Sequence, residues 1–188
     1  MKRVWTGALA LAIAACSQPS DAPNGGAAGS PTASPESTAE PNDSTELAEN
    51  SSGNAEPTSE LAAIEQTILE QINQYRQDEG LPPLTSNDTI RRQAQQHSSA
   101  MAQGDTPVSH QGFDSRVDAI AESIDYRSAA ENVAYNEGYG APGEQAVQGW
   151  LDSPGHLENI RGNYTITGVG VAREGQAYYF TQIFIRTP

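Results

Sequence analysis

The chain has 188 residues and a formal net charge of −14, with 24 acidic residues against ten basic ones. A chain this acidic repels phosphate backbones, which argues against nucleic acid as a partner and leaves the charge the plainer role of solubility. Its single cysteine, Cys16, excludes an internal disulfide.

Lys2 and Arg3 precede a small apolar run, Val4 to Ala15. That run is too short to span a bilayer and reads as a secretory signal over residues 1–15. It ends in Ile13-Ala14-Ala15-Cys16. This resembles the bacterial lipobox, in which the cysteine is diacylated and becomes the first residue of the mature protein. The resemblance implies an extracytoplasmic protein held to the membrane through lipid on Cys16, since each buried methylene adds about 0.8 kcal/mol. Ser17, in place of an aspartate, implies the outer membrane if the cell has one.

Residues 17–60 hold eight acids and no base, and Leu47 is their only large aliphatic side chain. Such a segment cannot bury enough to offset its ordering entropy, so a disordered tether is expected. As a coil it would reach roughly 35–40 Å. One domain is expected over residues 61–188.

Leu61, Ile64, Ile68, Ile72 and Tyr75 recur at helical spacing. They predict a helix with Thr58 or Ser59 as N-cap and Gly80 just past its end. A second helix is predicted from about Asn87 to Gln103, burying Ile90, Ala94, His97 or Ser98, and Met101. His97 there reads as a satisfied core or rim histidine. Residues 104–130 carry little periodicity beyond a short helix near 115–123. Gly143 to Leu151 predicts a helix with Val147, Trp150 and Leu151 inward and Trp150 as a core anchor. Pro154 suits the first turn of another short helix, capped by Ser153. Residues 166–172 and 177–186 predict two strands joined at Glu174-Gly175. Gly168 and Gly170 lack the third glycine and following helix of a dinucleotide fingerprint, and read as close-packing positions.

Five segments in this order resemble one superfamily. They are Ser109-His110 with Arg116, Ala130-Glu131-Asn132-Val133-Ala134, Trp150-Leu151-Asp152-Ser153-Pro154-Gly155-His156-Leu157-Glu158-Asn159-Ile160, Gly168-Val169-Gly170-Val171, and Tyr179-Phe180-Thr181-Gln182-Ile183-Phe184. The pattern is similar to the CAP, or SCP, domain of cysteine-rich secretory proteins, venom antigens and plant pathogenesis-related proteins. It implies an α+β fold, a three-layer α-β-α sandwich around a small mixed, largely antiparallel sheet. The resemblance places His110 and Glu131 in a cavity tetrad of two histidines and two acids. It puts Ser153 at the second acid's place and Tyr179 at the second histidine's, with His156 reaching the cavity from elsewhere.

His110, Glu131 and His156 suit a divalent ion such as Zn²⁺, or acid–base work, if the fold unites them. Their sequence separations carry no metal signal, and a buried hydrogen-bond network is equally open. No G-x-S-x-G elbow is present, and no cysteine remains in the domain to act as a nucleophile. Three functional readings follow: a monomeric envelope module binding a lipid or protein ligand, a metal-dependent hydrolase of peptide or cell-wall material, and a purely structural lipoprotein. The first is preferred. Tyr135, Tyr139, Tyr178 and Tyr179 are candidates to line a groove, though ordinary packing explains them as well.

Overall fold

The computed structural model describes residues 57–188. The signal, Cys16, Ser17 and most of the tether lie outside the described residues. In chain order the elements are helix α1 (Pro57–Asp78), strand β1 (Thr85–Ser86), helices α2 (Asp88–Ala102) and α3 (Phe113–Ala121), strand β2 (Ser128–Glu137), helices α4 (Pro142–Leu151) and α5 (Pro154–Arg161), and strands β3 (Ile166–Glu174) and β4 (Ala177–Arg186). Among the described residues no helix is long and apolar enough to cross a membrane.

α1 begins at Pro57, so Thr58 and Ser59 lie in its first turn rather than at its cap. A proline suits that place because the first N–H groups of a helix have no intrahelical partner. Past its other end Gly80 takes φ +73°, a left-handed value that glycine adopts without strain. α2 matches its periodicity: Asn87 caps it by accepting from the N–H of Thr89 at 2.9 Å and Ile90 at 3.2 Å. Ser153 sits at the N-cap of α5 as expected, but its hydroxyl makes no capping bond there.

Two strands escaped the periodicity. β1 has two residues, and β2 reads Ser-Ala-Ala-Glu-Asn-Val-Ala-Tyr-Asn-Glu, poor in β-branched and aromatic side chains. β2 is a strand because all ten of its residues find partners in antiparallel register on β4. The sheet runs β1-β3-β4-β2, parallel at β1–β3 and antiparallel elsewhere.

Alternation along β4 divides the core between the two faces. Tyr178, Phe180 and Phe184 pack with Ile68 and Ile72 of α1 and Trp150 of α4. Ile183 and Ile185 pack with Ile90 and Ala94 of α2 and Ile120 of α3. The three-layer arrangement follows, with α2 and α3 on one side and α1, α4 and α5 on the other.

Side chains cover the sheet's outer edges, where unpaired backbone would otherwise invite other strands. On β3, the Gln95 amide donates to the Val171 carbonyl at 2.9 Å and accepts from its N–H at 3.0 Å. On β2, the Trp150 indole donates to the Val133 carbonyl at 3.2 Å, and Asn159 donates to the Glu131 carbonyl at 3.2 Å. Trp150 is therefore a core anchor and an edge cap at once. Buried Arg76 on α1 fastens the end of α5, donating to the carbonyls of Ile160 at 2.6 Å and Gly162 at 2.9 Å. The C-terminal carbonyls of a helix favour a cation there.

Candidate functional site

Glu131 is the fourth residue of β2, and only 1% of its side chain is exposed. A carboxylate that deep needs compensation. Arg116, in the first turns of α3, supplies it with two bonds, Nε to Oε2 at 2.9 Å and Nη2 to Oε1 at 2.7 Å. Its remaining nitrogen, Nη1, donates to the Gln111 carbonyl at 2.9 Å and so closes the turn before α3. His110, in the loop ahead of that turn, brings Nδ1 to 3.0 Å from Glu131 Oε1. A carboxylate only accepts, so His110 donates from Nδ1, the tautomer that leaves the lone pair of a neutral ring on Nε2.

His156 arrives from the far side on α5. It is 6% exposed, and its Nδ1 is buried with no protein partner. Burial lowers its pKa below the usual histidine value, and proximity to His110 lowers it further. Two asparagines hold α5 in place. Asn132 donates to the His156 carbonyl at 3.2 Å, and Asn159 donates to Asn132 Oδ1 at 2.9 Å. The Glu-Asn and Asn-Ile segments are thus the seam between β2 and α5.

His97 completes the surroundings. Its Nε2 donates to the Ser109 carbonyl at 2.8 Å, fixing the residue before His110. It is the satisfied core histidine that the helical face implied. Burial lowers its pKa despite that bond, and Arg116 and His110 push the same way while Glu131 opposes them.

The fold therefore joins His110 and Arg116 to Glu131 and sets His156 near enough to His110 for the two rings to act on each other electrostatically. Arg116 stood in the Ser109-His110 segment of the family resemblance, which gave it no role in the site. Tyr179, read as the second histidine's place, lies opposite Tyr135, while Glu131 lies opposite Ile183. Tyr179 is thus outside the cluster, and His156 is its second imidazole. Nor do the four tyrosines share a groove. Tyr178 is buried and donates to Glu60 at 3.0 Å, Tyr139 lines a groove between α1 and α4, and Tyr135 packs edge-on to Tyr179 at 5.2 Å.

The donor set does not fit a divalent ion. Both Glu131 oxygens are engaged by a guanidinium, a fixed positive charge where the ion would sit. Among the described residues no three His, Cys, Asp or Glu side chains form a metal-ligand group.

Residues 69–184 match the cysteine-rich secretory protein (CAP) family. The chain belongs to that family. Two curated proteins of Bacillus subtilis (strain 168) resemble it. The uncharacterized protein YkwD is 34% identical over 131 residues, covering 68% of this chain and 49% of the relative. The uncharacterized membrane protein YlbC is 36% identical over 126 residues, covering 65% of this chain and 34% of the relative. This CAP chain therefore spans at most about half the length of either. Among solved structures, an extracellular SCP-domain protein from Bacillus anthracis superposes with a TM-score of 0.58 at 26% identity, over 72% of this chain and 45% of that one.

The buried histidines make the CAP domain acid-sensitive. His97 and His156 hold protons less readily folded than unfolded, where a histidine titrates near 6.5. The unfolded state therefore binds more protons as pH falls below about 6.5, and stability falls with it. Urea unfolding is expected to give a lower midpoint at pH 5.5 than at pH 7.5, with a shallower dependence in His156→Gln. An equal dependence in that variant would show that His156 does not titrate in this window.

Proposed function

We propose that this CAP-domain protein is an extracytoplasmic binding module of the cell envelope, anchored through lipid on Cys16. Its cluster of His110, Glu131 and His156 takes a small polar ligand and does not turn it over. The observation that carries this reading is the buried, unpartnered Nδ1 of His156 beside the His110 ring. Buried polar atoms are normally paired, and a ligand's polar group meets that need without a metal. Two features argue against turnover. Arg116 occupies the carboxylate that a general base would use, and among the described residues no nucleophile is hydrogen-bonded to His110. The word membrane in the YlbC name supports the anchor, as does the Cys16 context.

One observation favours a second reading, a structural network. The bidentate Arg116–Glu131 pair pins α3 to β2 whatever else the cluster does.

A thermal-shift experiment on the full chain in detergent separates the two. Lipid, glycan and peptide fractions of the envelope, and Zn²⁺, are each added to wild type and to His110→Ala/His156→Ala. The binding reading expects one envelope fraction to raise the wild-type midpoint and not the variant's. A folded variant indistinguishable from wild type in every fraction leaves the structural network. A shift with Zn²⁺ alone, lost in the variant, restores the metal reading. The anchor is checked by labelling cells with an alkyne palmitate, which wild type incorporates and Cys16→Ser does not.

A further inference from the structure

α5 starts beside the histidine cluster, because His156 is its third residue. Ser153 is the N-cap, extended at φ −102° and ψ 117°, and Pro154 and Gly155 follow it. The first N–H groups of a helix have no carbonyl partner inside it, and an N-cap side chain ordinarily accepts from the second or third of them. Here the Ser153 hydroxyl makes no such bond. Pro154 has no N–H, and the first bond inside the helix runs from the Leu157 N–H to the Ser153 carbonyl at 2.9 Å. The N–H groups of Gly155 and His156 are therefore left open together, at the positive end of the helix.

The His156 ring is a second, independent sign of a ligand. The residue is 6% exposed, and its Nδ1 has no protein partner. Helical side chains lean toward the N-terminus, and Nδ1 is among the ring atoms nearest the backbone, so it lies over this first turn. Burial and His110 both lower its pKa, so the ring is neutral near pH 7 and can present Nδ1–H as a donor.

Three donors thus share one turn for which the chain supplies no acceptor. Asp152, next to the cap, is turned back on Gln148, which donates to both its oxygens at 3.0 Å. Both Glu131 oxygens accept from Arg116, and one also from His110. Pro154 is exposed and Gly155 half-buried, so the turn is reached from solvent.

We infer that the first turn of α5 binds a carboxylate, which names the polar group of the ligand proposed for the cluster and rests on that reading. Two carboxylate oxygens match the two adjacent N–H groups, with the His156 ring as third donor. The turn has no fixed cation of its own, since Arg116 is spent on Glu131. A monoanion therefore suits it better than a phosphate, which brings roughly two charges to a chain already at −14. An ammonium group finds no open acceptor on this turn and meets the positive end of the helix. A peptide C-terminus, a sugar acid and a fatty acid all carry the group.

The test is isothermal titration of the full chain in detergent micelles at pH 7 with N-acetyl-alanyl-alanine, glucuronate and butyrate. At least one is expected to bind with a Kd of about 1 mM or tighter, and its primary amide at least about tenfold more weakly. The tightest of the three identifies the source. Ser153→Asp places a carboxylate on the cap, and is expected to abolish binding and raise the thermal midpoint. Ser153→Ala removes a hydroxyl that makes no bond to the turn and keeps the wild-type affinity, while His156→Ala weakens binding at least about tenfold. No binding of any of the three at about 10 mM overturns the inference. So does an amide or inorganic phosphate that binds as tightly as the carboxylate, or undiminished binding in Ser153→Asp. An envelope fraction that raises the wild-type midpoint and is displaced by none of the three also overturns it, while leaving the cluster a ligand site.

Discussion

Arg116→Ala is expected to lower the unfolding free energy by about 3–5 kcal/mol, read from urea denaturation monitored by circular dichroism. The size follows from what is left behind. Glu131 keeps its place on β2 with 1% of its side chain exposed, and His110 alone remains to face its charge. A buried carboxylate without its counter-ion is far more costly than the loss of the contact itself. The effect extends beyond stability, because Arg116 also holds the Gln111 carbonyl and with it the turn carrying His110. Glu131→Gln is expected to be damaging for the converse reason, since it strands a buried guanidinium. Arg116→Met combined with Glu131→Leu recovers much of the loss, because neither charge is then buried alone. A cost under about 1 kcal/mol for Arg116→Ala, the range of exposed pairs, would show that solvent reaches Glu131 and that the cluster is open.

Gly170→Ala is expected to cost about 3 kcal/mol, at the upper end for overpacking. Gly168 and Gly170 alternate on the face of β3 that α2 crosses. A Cβ on Gly170 would fall on the backbone of Ala94 and Gln95, and one on Gly168 on that of Ile90 and Arg91. The obstacle is main chain, which no rotamer change relieves, so α2 must lift from the sheet. Ser98 would lose its bonds to the Gly170 carbonyl and Thr181, both 2.9 Å. His97, on the same helix, would carry the Ser109 carbonyl and the neighbouring His110 with it. Gly149→Ala is the control. It lies in α4, and a Cβ there would meet nothing within 4 Å, so the change is expected to be neutral or stabilising by up to about 1 kcal/mol. Comparable losses at both glycines would remove the close helix–sheet approach as the explanation.

The parts of the fold legible in the sequence are those encoded locally. α1 and α2 show apolar side chains at helical spacing and have glycine or asparagine at an end. β3 and β4 are dense in β-branched and aromatic residues. Five ordered segments indicated the CAP family and through it the three layers, and the paired glycines of β3 stand where the helix comes closest. β2 was not legible, because Ala, Asn and Glu carry no strand preference. Its strand character comes from ten residues in register on β4 and from Trp150 and Asn159 capping its outer carbonyls.

The site divides along the same line. His110, Glu131 and His156 stood out as residue types able to bind or to move protons, at separations without meaning of their own. Only the tertiary structure brought them together, through β2 docking on β4 and α5 docking on the edge of β2. That docking also placed Arg116 on the carboxylate, which turned a plausible metal ligand into half of a buried ion pair. It put Tyr179 outside the cluster and packed the apolar faces of α1 and α4 against each other. A local pattern specifies which face of an element is apolar. Which faces then meet depends on register and packing between segments far apart in the chain, and those contacts decided the chemistry of the site.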